Sequence, residues 1–177
     1  MILKRLIFLF FFSIQSFGQY EIPEKPTTQK AVYQFKKILS NSDENSLNHK
    51  LIKYADSTST QIVIVSIDST NGENVLFLGA EWAQKWGIGQ KGLDNGILIL
   101  ISVDDRKLSI NTGYGIEEFL TDARSKRIID NTISPNFKKS DFYKGLNLAT
   151  DQIIEILEGN FQSIKETKSE DLSLIHI

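Results

Sequence analysis

Three acidic residues, Asp94, Glu117 and Asp122, stand in glycine-rich or turn-forming company: Gly92-Leu93-Asp94-Asn95-Gly96, Gly113-Tyr114-Gly115-Ile116-Glu117 and Leu120-Thr121-Asp122. Oxygen donors on loops, with nearby carbonyls made accessible by Gly113 and Gly115, suit a hard divalent cation: calcium first, magnesium second, zinc poorly. The spelling of an EF-hand loop is absent. An ion held there could order the loops for docking. It could also polarise a phosphoryl group and activate water, with Asp94 as the candidate base. The chain has no cysteine and only two histidines, His49 and His176. Disulfides, thiolate chemistry, cysteine or multi-histidine zinc sites and a Ser-His-Asp triad are thereby excluded.

The acids can meet only if the elements between them bring their loops to one place. Ile97-Leu98-Ile99-Leu100-Ile101 is an unbroken apolar run of the kind found in a strand covered on both faces. Asp104-Asp105 makes a polar reversal, and Lys107-Leu108-Ser109-Ile110-Asn111 alternates as a second strand does. In that hairpin Asp94 precedes the first strand and Glu117 follows the second, so both fall at one end of the sheet, with Asp105 and Arg106 at the other. A helix starting at Asp122, with Ala123, Ile128, Ile129 and Ile133 as its apolar stripe, begins at the same end as Asp94 and Glu117.

The remaining chain supplies the frame. Asn41 followed by Glu44 signals a helix start, and Leu47, Leu51, Ile52, Tyr54 and Ala55 form its inward stripe, with His49 outside it. Gln61 to Asp68 reads as a buried strand and Glu73 to Lys85 as a helix. A break is expected at Ser134-Pro135, then a last helix from Asp141 to Glu158 closed by Gly159. Together these predict a three-layer α/β/α sandwich around a small mixed β-sheet. Lys4-Arg5, the apolar run Leu6 to Phe12 and Ser16-Phe17-Gly18 read as a secretory signal peptide cut before Gln19, too short an apolar run to span a bilayer. The expected division is a signal peptide over 1–18, an extended leader over 19–31, the domain over 32–158 and a polar, disordered tail over 159–177. Cleavage takes the formal charge from −2 to −4 by removing Lys4 and Arg5, which argues against nucleic acid as a partner. The expected location is secreted or periplasmic, with no membrane anchor evident after cleavage.

Plainer uses of the same residues stand beside these. Asp122 after Thr121 serves as a helix N-cap far more commonly than as a ligand. Asp94-Asn95-Gly96 is also a good turn, and Glu117 and Glu118 could be solvated charges. Arg106 beside Asp105 could meet a phosphate or simply cap a solvated hairpin tip. At the acidic end Lys91 is the one evident basic residue. Trp82 and Trp86 read as helix-to-sheet packing, Trp86 anchoring the glycine loop after it. Gly87-Ile88-Gly89-Gln90-Lys91-Gly92 fits G-x-G-x-x-G, but it follows a helix and precedes a strand, the reverse of the dinucleotide fingerprint, so a nucleotide is not expected.

With its elements placed, the chain resembles the TPM domain family from Val32 to Leu157. The resemblance is carried by Trp86-Gly87-Ile88-Gly89, Gly92-Leu93-Asp94-Asn95-Gly96, Asp105-Arg106-Lys107, Gly113-Tyr114-Gly115-Ile116-Glu117, Leu120-Thr121-Asp122 and Ile133-Ser134-Pro135-Asn136-Phe137, in that order. It implies an α/β/α sandwich, divalent-cation binding, a role among cell-envelope or membrane proteins, and, as the alternative, a weak acid phosphatase activity on phosphomonoesters. Two departures matter: Gln34 stands where many members carry aspartate, and the membrane helix and glycine-rich tail of many members are missing from this sequence.

Overall fold

Strand residues alternate between two cores, and this alternation fixes the layers. In the computed structural model, which describes residues 20–173 and their side chains through 159, Ile62, Ile64, Ile97, Ile99 and Ile101 point into one core. Val63, Val65, Ile67, Leu98 and Leu100 point into the other. The strands β1 (Val32–Gln34), β2 (Gln61–Ile67), β3 (Gly96–Ser102) and β4 (Lys107–Thr112) form one mixed sheet in that order. The first three run parallel, and β4 runs antiparallel to β3, giving the expected hairpin. A sheet buried on both faces needs two covering layers, which is why β2 and β3 carry unbroken apolar runs.

One layer comprises α1 (Asn41–Thr58), α3 (Asp122–Ile128), a π-turn (Ile129–Ile133), α4 (Ser134–Phe137) and α5 (Phe142–Ser173). The other is α2 (Val75–Trp86), joined by the segment before β1. The predicted sandwich is therefore the observed one. Where α2 crosses β4, Gly79 lies so close to Ser109 and Asn111 that any side chain would strike them. Asn111 Nδ2 donates to the Leu76 carbonyl at 2.8 Å, fastening helix to strand.

Several details depart from the sequence reading. The N-cap of α1 is Ser40, one residue before Asn41; its hydroxyl accepts from the Asp43 amide at 3.2 Å. The strand β1 was not expected, and the leader does not merely lead. Ile22 is buried, Trp86 Nε1 donates to the Pro23 carbonyl at 2.9 Å, and Lys85 Nζ donates to the Ile22 carbonyl at 2.7 Å. Trp86 thus anchors the leader. The expected break at Ser134-Pro135 falls later, at Lys138 to Asp141, where Ser140 takes a left-handed φ of 61°. Pro135 lacks an N–H, and in a regular α-helix its ring would strike the Asn131 carbonyl. The chain responds by widening one turn, so that Ser134 N–H reaches back five residues to Ile129. The last helix also runs on past Gly159 to Ser173, since Lys, Glu and Gln in that stretch are good helix formers. No helix among the described residues is long and apolar enough to cross a membrane. The signal-peptide residues lie outside those described.

Candidate functional site

Two loops are locked backbone to backbone at the end of the sheet where β3 starts. Gly115 N–H donates to the Asp94 carbonyl at 3.1 Å and Gly113 N–H to the Gly96 carbonyl at 2.8 Å. A side chain on Gly113 would strike the Asp94 carbonyl, one on Gly115 the Leu93 carbonyl, and one on Gly96 the Ile88 carbonyl. These glycines permit the close approach. Buried Asn95 ties the Asp94 loop down, accepting from the Gln90 amide at 2.8 Å and donating to the Ser59 carbonyl at 2.9 Å. Gln61 at the start of β2 holds the Gly89 amide at 3.0 Å. Gly87, first of the G-x-G-x-x-G spelling, is the left-handed C-cap of α2.

The predicted acids sit on this frame as follows. Asp94 is exposed and takes a left-handed φ of 46°, a conformation Asp tolerates better than most residues. Glu117 is exposed on the turn that leads through buried Ile116 and Leu120 to α3. Asp122 is exposed in the first turn of α3, and Thr121, not Asp122, is the N-cap, its hydroxyl accepting from the Arg124 amide at 3.4 Å. The carboxylates of Asp94, Glu117 and Asp122 make no hydrogen bond or ion pair among the described residues. The structure brings the Asp94 and Gly113–Glu117 loops together and starts α3 beyond them. It does not draw the three side chains into one cluster, for among the described residues no group of three or more acids or histidines is placed to hold a metal ion. In donor chemistry the set fits a hard, oxygen-preferring ion.

The opposite end is built differently. Asp105 Oδ2 accepts from Ser102 Oγ at 2.6 Å, from the Thr70 amide at 2.7 Å and from Thr70 Oγ1 at 3.0 Å, while Ser69 Oγ lies 3.1 Å from Oδ1. The Ser102 hydroxyl first, then the Thr70 amide, hold this carboxyl well below the usual carboxylate range. Asp105 therefore pins the β2–α2 connection to the hairpin tip. Arg106, beside it, is exposed with a left-handed φ of 54°. Nearby Lys36 meets Asp68 at 2.7 Å and Asp104 at 3.7 Å, and the hydrogen bond to Asp68 raises its pKa. Gln34 also belongs to this end. Its register partner Ser66 lies five residues along β2 from Gln61, about 16 Å at strand rise, so its replacement of an acid leaves the Asp94 rim untouched. Its amide instead organises the chain, accepting from Ile38 and Leu39 amides at 2.9 and 2.7 Å and donating to Glu44 at 2.8 Å.

Two basic residues missed in the sequence follow Asp122 on α3. Arg124 donates to the Phe119 carbonyl, and Arg127 lies one turn on. With Lys91 and with Lys126, which pairs with Asp130 at 2.9 Å, they are the positive groups nearest in sequence to the acidic loops, and the spacing Asp122-Ala123-Arg124 could have shown it.

The comparisons agree with this architecture. The model of the TPM domain matches residues 32–156. Among solved structures, the N-terminal domain of a protein from P. gingivalis aligns with a TM-score of 0.69 at 26% identity, over 75% of this chain and 85% of that one. The BA42 protein of the psychrophilic bacterium Bizionia argentinensis aligns at 0.59 and 21% identity, over 70% and 83% of the two chains. The N-terminal domain of the cg2496 protein of Corynebacterium glutamicum aligns at 0.54 and 20%, over 73% and 82%. These last two likenesses speak for the fold alone. No curated protein matches the chain. A family model spanning most of the sequence, on a sandwich shared with these domains, places the chain in the TPM domain family.

Proposed function

We propose that the Asp94 end of this domain binds a divalent cation, calcium in preference to magnesium, and that the loops so ordered dock on other proteins of the cell envelope after secretion. The observation that supports this reading is a pair of glycine-locked loops presenting Asp94 and Glu117 with their carboxylates unengaged. Asp94, Glu117 and, from the first turn of α3, Asp122 would hold the ion; all three are exposed and free to turn. A bound cation would draw together carboxylates that the fold itself leaves apart. Beside them the loops expose Leu93 and Tyr114, the latter 87% accessible, and an aromatic on a rigid loop is a common anchor at protein interfaces.

Calorimetry of the secreted form with calcium, magnesium and zinc is the test. Saturable heat with calcium that disappears in Asp94→Asn supports the reading. No heat, with no shift in melting temperature at millimolar calcium, overturns it.

The alternative is a weak metal-assisted phosphatase with Asp94 as base. Lys91, in the loop that leads to Asp94, is the basic residue that could meet the substrate phosphate there. Hydrolysis of a generic phosphomonoester, lost in Asp94→Asn, supports that reading; equal rates in both proteins remove it.

A further inference from the structure

One concavity of the described residues lies away from the glycine loops, between the α3–π-turn segment and α5, with a volume of about 550 Å³. That is within the range of pockets for small molecules. One wall carries Arg124, Arg127, Asn131 and Thr132, the other Gln152 and Glu155. On the first wall Arg124, Arg127 and Asn131 are three or four residues apart, and on the second Gln152 and Glu155 are three apart, so each set forms one helical stripe. The π-turn that Pro135 imposes carries Asn131 and Thr132 on the first wall.

The polar groups here are mostly donors. Thr132 Oγ1 donates to Gln152 Oε1 at 3.0 Å, which uses the amide oxygen and leaves the Gln152 NH₂ free. Arg127 and Asn131 have no side-chain partner among the described residues. Arg124 spends one Nη on the Phe119 carbonyl and keeps the rest of its fork. Glu155 is the single anion of the lining and pairs with neither arginine within 4.0 Å. Two guanidinium groups and two amides offer more donors than one carboxylate can satisfy.

We infer that this groove is an oxyanion site, taking a small phosphate-type group on Arg124, Arg127, Asn131 and Gln152. Arg127 supplies a planar fork for two oxygens, and the amides supply the neutral donors that a tetrahedral anion with three free oxygens accepts. Glu155 opposes the anion and weakens its hold. The site does not depend on the cation proposed at the Asp94 end: a chain that ignores calcium still tests it.

The test is an NMR titration of the isotope-labelled chain with inorganic phosphate, against chloride at equal ionic strength. Saturable shifts are expected around residues 124–132 and 152–156. Arg127→Ala should weaken binding about tenfold or more, and Arg127→Lys should recover part of it. Arg106→Ala, at the far hairpin tip, should bind as the unaltered chain does. Glu155→Gln should tighten binding severalfold. Each variant is compared only after its melting temperature and spectral dispersion match those of the parent. Shifts no different from those with chloride, an equal loss in Arg106→Ala and Arg127→Ala, or weaker binding in Glu155→Gln would overturn the assignment. So would association with phosphatidic acid vesicles in a chain that ignores free phosphate.

Discussion

The two ends of the sheet each carry aspartate in a tight connection, yet they use it in opposite ways. At the hairpin tip Asp105 is consumed by the fold, its oxygens taken up by Ser69, Thr70 and Ser102. At the other end the backbone does the fastening, through Gly113 and Gly115 on Asp94 and Gly96, and the carboxylates of Asp94 and Glu117 are left over. A side chain that satisfies buried or half-buried donors is structural. One mounted on a rigid frame with nothing to bind is available for a ligand. Sequence motifs alone could not separate the two, since both aspartates sit in family-like segments.

Breaking the frame should cost most. Gly115→Ala, which drives a methyl into the Leu93 carbonyl, should lose roughly 3 kcal/mol in urea unfolding. Gly92, with a φ of 84° and open space around it, should lose only about 1 kcal/mol as alanine. Similar losses at both would mean the loops are not locked as described.

Asp105→Asn should give a clear fall in melting temperature. Because the folded-state pKa of Asp105 is depressed, its contribution is fully present above the ordinary carboxylate range and fades as pH falls through that range toward the folded value. The variant should therefore show a flatter decline of stability below about pH 4. An unchanged slope would place the acid sensitivity elsewhere.

At the start of α3 the distinction is finer. Thr121→Ala removes the cap and should cost about 1 kcal/mol. Asp122→Ala removes only a favourable charge in the first turn, worth about 0.5 kcal/mol. The reverse order would restore Asp122 as the cap. Smallest of all, Asp94→Asn should stay within about 0.5 kcal/mol of the parent, and Asp94→Gly should gain about 0.5 kcal/mol by relieving the left-handed φ.

Much of this was legible beforehand because the pattern was strong. The runs in β2 and β3, the alternation of β4 and the glycine spellings fixed the sandwich and put Asp94 and Glu117 at one end. What escaped was set by longer-range contacts. The three residues of β1 show no period of their own, and Asn48 from α1 caps them, taking the Ala31 and Val32 amides at 2.8 and 2.9 Å. The leader is held by Trp86 and Lys85, far along the chain. The π-turn followed from a single proline inside a helix that packing held together. Arg124 and Arg127 were passed over because their importance lies in the groove they share with α5.

Melting of the chain lacking residues 1–18, with and without calcium, beside Asp94→Asn/Glu117→Gln, tests the central claim most directly. The account predicts that calcium at one hundred times its dissociation constant stabilises the parent by about 2.7 kcal/mol, and leaves the double variant unmoved while its calcium-free melting point stays close to the parent's. A parent indifferent to calcium, or an equal rise in both proteins, would contradict it.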